Sequence, residues 1–346
     1  MKIFRSKALF FIGLLFLTSI GVAAYGNYLY QTFISQPIGK ASTTVVLEIK
    51  KGDTAAIVAQ KLHHAGLMAQ PGFFRWYLRY QKKEHLIKAG EISLSGDLTV
   101  DELIERLIKG QTVQYPVTLI AGQTFKQTLD AIAKLPKLKR ELDFDDVAAL
   151  QALFAIEKPI SVKYPYANLE GLLLPETYYY QQGDSDKKVL LRAFEAMQAT
   201  LEKAWQTRRD KLPISTPYEA LILASIVEKE TGVAEERPLI AGVFENRMKR
   251  NMRLQTDPTV IYGIGMDYDG NIRKKDLREK TDYNTYQIDG LPPTPIALPS
   301  KEAILAVVNP QETKALYFVA KGGGEHYFSE TLQEHNRAVR KYLLSK

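Results

Sequence analysis

The stretch Thr216-Pro217-Tyr218-Glu219-Ala220-Leu221-Ile222-Leu223-Ala224-Ser225-Ile226-Val227-Glu228-Lys229-Glu230-Thr231-Gly232 reads as one helix with both ends marked. Thr216 can cap it, Pro217 suits its first turn, and Glu219 completes a capping box three residues on. Gly232 is the expected stop, because glycine adopts the left-handed C-terminal conformation without strain. Two carboxylates fall in the last turn, and their neighbours differ. Glu230 follows Leu223, Ile226 and Val227 on one side of the helix, which puts it at the end of the apolar stripe. Glu228 follows Leu221, Ala224 and Ser225, a smaller and more polar face. Burial and the negative end of the helix dipole both disfavour charge on Glu230. A carboxylic acid that keeps its proton near neutral pH is what general-acid cleavage of a glycosidic bond requires. The plainer reading makes both residues solvated charges on a fraying helix end. Spacing alone leaves the two readings open.

Upstream, residues 136–215 are looser. They hold an aromatic stretch with Leu169-Glu170-Gly171 and Pro175-Glu176-Thr177-Tyr178, then an amphipathic helix over about 187–207. Residues 41–135 carry a weak internal repeat. Val45-Val46-Leu47-Glu48-Ile49 alternates as a strand, Lys51-Gly52-Asp53-Thr54 makes a turn and helix cap, and 55–64 has helical periodicity. The same order of strand, Gly-x-Thr turn and helix returns at 117–135. Between the two, Pro71 opens a helix bearing Phe73, Phe74, Trp76 and Tyr77, whose spacing suits a core better than a sugar platform. A further short helix over 100–108 is capped by Gly110. The phrase Ile49-x-x-Gly52-Asp53-Thr54 resembles the opening of LysM modules, which bind N-acetylated glycans.

At the N-terminus no residue from Ala8 to Tyr25 is charged, and eighteen helical residues span about 27 Å, near the hydrocarbon thickness of a bilayer. Lys2, Arg5 and Lys7 precede this run and the next charge is Lys40, so the first residues are expected in the cytosol and the remainder exported. A cleaved signal peptide is the competing reading, since Val22-Ala23-Ala24 suits cleavage.

The whole chain has 346 residues, 46 Lys and Arg against 39 Asp and Glu, a net charge of +7, 45% apolar and 25% charged residues. These proportions are ordinary for a globular protein and exclude a wholly disordered, collagen-like or polytopic membrane chain. The length admits roughly two domains at about 150 residues each. With no cysteine there is no disulfide, thiolate metal site or Cys nucleophile. The five histidines, at 63, 64, 85, 326 and 335, lack metal-ligand spacing. No phosphate loop, GxSxG motif or basic-aromatic nucleic-acid pattern is present. The expectation is no metal, no cofactor and no nucleic acid.

Downstream of Glu230 come Val243-Phe244-Glu245-Asn246-Arg247, Met252-Arg253-Leu254-Gln255-Thr256-Asp257-Pro258-Thr259-Val260-Ile261-Tyr262, Tyr283-Asn284-Thr285-Tyr286 and Gly290-Leu291-Pro292-Pro293-Thr294-Pro295-Ile296. Leu316-Tyr317-Phe318-Val319, His326-Tyr327-Phe328-Ser329 and Glu334-His335-Asn336 follow. With the helix Ala224-Ser225-Ile226-Val227-Glu228-Lys229-Glu230-Thr231, this string resembles the endolytic murein transglycosylase (YceG-like) family, most closely over 224–336. Three positions depart from the family's pattern. Asn251 stands where Gly is usual, Leu298-Pro299-Ser300 where Asn-Pro-Gly is usual, and Glu176 where Asp is frequent.

The resemblance implies an α+β protein with a single N-terminal transmembrane helix, a small LysM-like module and a mixed α+β catalytic domain. The divisions expected are a cytoplasmic N-terminus (1–7), an anchor (8–28), a stalk (29–40), the LysM-like module (41–115) and the catalytic domain (116–346). It implies an inner-membrane protein with its bulk in the periplasm, acting on peptidoglycan glycan strands and coupled to peptidoglycan synthases. The second Glu of the family's Glu-Lys-Glu-Thr motif falls on Glu230, which would protonate the bond from N-acetylmuramic acid to N-acetylglucosamine and leave a 1,6-anhydro end. Candidate substrate-binding residues are Gln255, Asp257, Asn284, Tyr262, Tyr286, Glu228 and His326, each with a structural alternative as turn, packing or ion-pair residue. Arg247 reads as a structural ion-pair partner. Two other functions stay open. One is a hydrolytic muramidase that adds Glu170, Glu176 or Asp257 as base; the other is a non-catalytic wall-binding scaffold built on 41–115.

Overall fold

The computed structural model describes residues 2–156 and 164–344, with side chains from residue 11 onward. The chain divides into two compact units, Met1–Tyr115 and Pro116–Lys346, and has a mixed α and β composition.

Unit 1 opens with α1 (Lys2–Ser35), a helix of 34 residues. Within it Phe11–Ser35 is the stretch, among the described residues, long and apolar enough to cross a membrane, with mean hydropathy 1.4. Crossing needs only about 20 residues, and the surplus does not form a loose stalk. Residues 29–35 are the last two turns of α1, and Tyr30, Phe33 and Ile34 pack against the core of the unit. Lack of charge there reflects contact with a protein surface, which sequence alone could not distinguish from a linker.

β1 (Thr44–Ile49) turns Leu47 and Ile49 inward. The chain then reverses at Gly52 (φ +96°), and the Thr54 hydroxyl accepts from the Ile57 amide to start α2 (Ala55–His64). α3 (Pro71–Tyr80) follows, then β2 (Gly90–Ser95), antiparallel to β1 with Leu47 opposite Ile92. α4 (Val100–Lys109) has a complete Thr99–Glu102 capping box and ends on left-handed Gly110, as its sequence requires. Leu62, Phe74, Leu78, Ile92, Leu94, Leu103 and Leu107 are fully buried and form the core of the unit.

Unit 2 begins with β3 (Tyr115–Thr118), which pairs with β4 (Thr177–Tyr180). α5 (Phe125–Ile132) carries a Thr124–Gln127 capping box behind the turn at Gly122, repeating the device that starts α2. α6 (Val147–Leu153) and α7 (Asp186–Gln206) lead to α8 (Pro217–Glu230), α9 (Arg237–Lys249), α10 (Asp257–Ile264) and α11 (Lys301–Val308). α8 packs against α7, α9, α10 and α11. Every residue from Ala220 to Val227 is buried, so this helix is apolar all round. β5 (Tyr317–Gly322) and β6 (Glu325–Ser329) form an antiparallel hairpin whose turn needs left-handed Gly322, Gly323 and Gly324, and α12 (Leu332–Val339) closes the fold.

Candidate active site

The site is built on the C-terminal end of α8. At the other end, the Thr216 hydroxyl accepts from the Glu219 amide at 3.1 Å, and the Glu219 carboxylate takes the Ser215 amide. The box therefore closes one residue earlier than the sequence suggests. The helix does not stop through Gly232, which has no positive φ. It stops because Thr231 turns extended (φ −141°, ψ 137°) and its hydroxyl accepts from the Val233 amide at 3.0 Å. A hydroxyl competing for local backbone partners breaks a helix as a glycine would.

The two carboxylates of the last turn have opposite surroundings. Glu228 has a side chain only 6% exposed, paired with Arg237 at 3.2 Å. It also accepts from the Ser300 amide at 3.0 Å and from the Ser300 hydroxyl, at the cap of α11. Its charge is matched by a cation and a helix N-terminus. Among the described residues no cation pairs with Glu230. Packing around Glu230 raises its carboxyl from the usual range to about 7; the Thr256 hydroxyl pulls the other way, and the Asp257 charge adds to the rise. One helical turn thus holds a matched anion and an acid that keeps its proton.

Thr256 is fixed for this contact. It sits at the cap position of α10, yet its hydroxyl caps nothing and donates to Glu230 instead. Its amide donates to the Thr285 hydroxyl at 3.0 Å, its carbonyl accepts from Thr259 at 2.8 Å, and the Thr259 and Thr285 hydroxyls meet at 2.8 Å. All three threonines are buried. The donor facing the carboxyl therefore has little freedom to turn away.

Glu230 opens on a cavity of about 310 Å³ that Gln255, Asp257 and Tyr286 also line. The Tyr286 hydroxyl donates to Asp257 at 2.7 Å. Gln255 holds a left-handed backbone (φ +52°), uncommon away from glycine and frequent at functional sites. Its carboxamide accepts from Arg247, whose guanidinium is also bonded to the Arg253 carbonyl at 2.9 Å and the Leu316 carbonyl at 3.3 Å. The opposite wall consists of Leu254, Tyr317, Phe318, Leu332 and His335. His335 stacks on Tyr317 at 5.2 Å with its Nδ1 buried and unpaired, and burial, then the Arg247 charge, lower its proton affinity.

Of the residues singled out from the sequence, Gln255, Asp257 and Tyr286 meet Glu230 in this cavity. The others have structural partners. Asn284 is buried and donates to the Asp276 and Glu279 carbonyls at 2.9 and 2.6 Å while accepting from the Tyr286 amide, so it shapes the loop that carries Tyr286. Tyr262 packs among Tyr164 and Tyr283 and is hydrogen-bonded to Glu170. His326 is bound through its amide and ring to Glu236, at 2.8 and 2.7 Å, with its ring against Phe318. Tyr317, Phe318, Leu332 and His335 carried no assigned role in the sequence, and Arg247, expected as an ion-pair partner, instead donates to Gln255 and two backbone carbonyls. The clue available was the run Tyr317-Phe318 followed by Gly322-Gly323-Gly324, a turn-forming sequence that sets aromatic side chains at a rim. A second cavity, of about 400 Å³, lies at the far end of α10 among Tyr164, Tyr283 and charged residues of the 267–282 loop, and Glu230 does not line it. Among the described residues no group of three or more His, Asp or Glu could hold a metal.

A carboxyl protonated to about pH 7, set in a polar and aromatic cleft, is the equipment of an acid–base enzyme for a sizeable polar ligand. Sequence comparison narrows the class. Residues 47–341 match the YceG-like family, and the chain belongs to it. It is 32% identical to the endolytic murein transglycosylase of Bacillus subtilis over 332 residues, 93% of this chain and 91% of that one. It is 30% identical to the endolytic murein transglycosylase of Streptococcus pneumoniae D39 over 98% of its own length, spanning 66% of that longer protein. The crystal structure of a YceG-like protein from Listeria monocytogenes, 30% identical, superposes with a TM-score of 0.53 and covers 85% of this chain and 99% of that one.

Proposed function

We propose that the chain is a peptidoglycan lytic transglycosylase that cuts glycan strands internally, with Glu230 as its proton-transfer group. The observation that carries this reading is a carboxyl with no cation partner among the described residues, raised by burial and set on the wall of the cleft. The names of the relatives support the substrate and the internal cut. Neutral Glu230 gives its proton to the oxygen joining N-acetylmuramic acid to N-acetylglucosamine, and that bond breaks. Ionised Glu230 then takes the proton of the muramoyl C6 hydroxyl as its oxygen bonds to C1 and closes the 1,6-anhydro ring. Protons balance and no water is consumed. The Thr256 hydroxyl supports the ionised form between the two transfers. Asp257, held by Tyr286, supplies negative charge as positive charge develops at C1. Arg247 and Gln255 form a fixed polar wall that suits the acetamido and hydroxyl groups of a sugar.

A hydrolytic enzyme would need a second carboxylate as base. Of the three weighed from the sequence, Glu170 is 2% exposed and tied to the Phe125 amide, and Glu176 lies exposed before β4; Asp257 alone lines the cleft with Glu230. Mass spectrometry of fragments cut from uncrosslinked strands decides between the two reactions. Anhydro ends support the transglycosylase, and reducing muramic ends overturn it in favour of a muramidase. A Glu230→Gln protein that cuts at the normal rate removes both.

The same proposal places α1 in the inner membrane with residues 1–7 cytosolic and the bulk of the chain periplasmic, on the charge asymmetry around the apolar run. The order β1, α2, α3, β2 behind the Gly52-Asp53-Thr54 turn supports reading unit 1 as a LysM-like glycan-binding module.

A further inference from the structure

α3 has two faces. Phe74, Tyr77 and Leu78 belong to the core of unit 1, whereas Trp76 and Tyr80 are 50% and 67% exposed. Those two rings stack in parallel at 5.5 Å, and Phe73 adjoins Trp76 at 5.5 Å. Arg75 and Arg79 share the helix and Lys82 and Lys83 follow it; the acidic neighbours are Glu84, beside Arg79, and Asp101, which accepts from Tyr77 and Gln81. An exposed aromatic row flanked by cations has no role in the core and none in the cleft.

The row continues into α1. Phe33 meets Phe73 at 4.8 Å and Tyr77 at 5.9 Å, and Tyr30 meets Tyr77 at 6.0 Å. One turn forward along α3 therefore corresponds to one turn backward along α1, so α3 runs back toward the apolar run. Tyr80 comes about one turn beyond Tyr77 in that direction, and Lys82 (φ +56°) and Lys83, whose amide bonds the Leu78 carbonyl, cap this end of α3. Tyr25 and Tyr28 stand exposed on α1 just beneath. Tyr28 to Phe33 is a rise of about 7.5 Å, close to the roughly 5–7 Å of one headgroup layer. Tyr and Trp concentrate at that depth, and basic side chains there attract anionic lipid.

We propose that the outer face of α3, with Trp76, Tyr80, Arg75, Lys82 and Lys83, is a lipid-binding surface that seats unit 1 in the anionic headgroup layer of the membrane crossed by α1. The proposal rests on the reading of α1 as a membrane-spanning anchor. A stacked pair of exposed rings also suits a sugar. Ring-to-ring continuity with α1 and the basic flank favour lipid.

The test uses the full chain carrying Trp205→Phe, which leaves Trp76 as the sole tryptophan, in vesicles of phosphatidylglycerol and phosphatidylethanolamine. Trp76 emission should be quenched more by lipids brominated near the glycerol than by lipids brominated at the acyl terminus, and acrylamide quenching should be several-fold weaker than in urea. Adding Arg75→Glu, Lys82→Glu and Lys83→Glu should abolish the shallow bromine quenching and restore acrylamide access. If Trp76 is as open to acrylamide in vesicles as in urea while the chain resists alkaline carbonate extraction, the proposal is overturned and the anchor stands. Extraction by carbonate overturns the anchor and the proposal with it. Protection that appears only when soluble glycan fragments are added gives the face to sugar and overturns the lipid assignment.

Discussion

Among its described residues unit 2 holds two carboxylic acids, in different places, whose proton affinity burial raises well above the usual range. Glu230 stands on the wall of an open cleft, and burial, opposed by Thr256, lifts it to about 7. Glu170 lies closed in the core between the start of α5 and Tyr262, and burial lifts it further, to about 8, against the Phe125 amide and the Tyr262 hydroxyl. Both groups are raised by burial, and one of them is closed to substrate. Elevated proton affinity therefore does not single out a catalytic acid in this fold; a raised value joined to an open face does.

The sharpest way to break this comparison is Glu230→Gln. It should lower glycan cleavage by at least 10²–10⁴-fold, the usual share of proton transfer, with the thermal midpoint below about pH 4.5 nearly unchanged. For the wild-type enzyme, kcat/KM should fall as pH rises through about 7, because the acid form of Glu230 is lost there. Glu228→Ala, in the same turn, should fail in the opposite manner. It leaves Arg237 and the Ser300 amide without their partner and should reduce stability by about 3–5 kcal/mol in denaturant titration. Glu170→Gln keeps the shape and removes the titration. Acids whose proton affinity is raised on folding stabilise the fold fully below about pH 4.5, and that stability drains away as pH rises through their folded values. The variant should keep wild-type activity near pH 6, match wild-type stability below about pH 4.5, and exceed it by on the order of a few kcal/mol at pH 9. Loss of cleavage at pH 6 in Glu170→Gln would collapse the distinction between the two sites. The smallest effect serves as a control. Asn251 holds a left-handed φ of +52° after α9, so Asn251→Gly should add up to about 1 kcal/mol of stability with no change in rate.

The position of Glu230 was legible because helix periodicity and apolar neighbours are local properties of Leu223, Ile226 and Val227. Even there the reading was incomplete, since the helix proved buried on every side and ended through Thr231. What the sequence could not show was the far wall. Arg247, Tyr317 and His335 reach Glu230 only once α9, the hairpin and α12 fold together, across 17 to 105 residues of chain. Conversely, Asn284, Tyr262, Glu228 and His326 have the chemistry of site residues, but backbone carbonyls, other rings, Ser300 and Glu236 already use it. Hydrogen-bonding capacity is visible in a residue's name, whereas whether it is still available depends on neighbours distant in sequence.

The two helical turns at residues 29–35, within the stretch expected as a stalk, have a mechanical consequence. Because α1 enters unit 1 without a break and is locked there by Tyr30 and Phe33, it transmits torque instead of acting as a slack leash. With α1 anchored as proposed, any protein that grips its apolar half and turns it would swivel unit 1 through the same angle, so steering would be applied from within the bilayer.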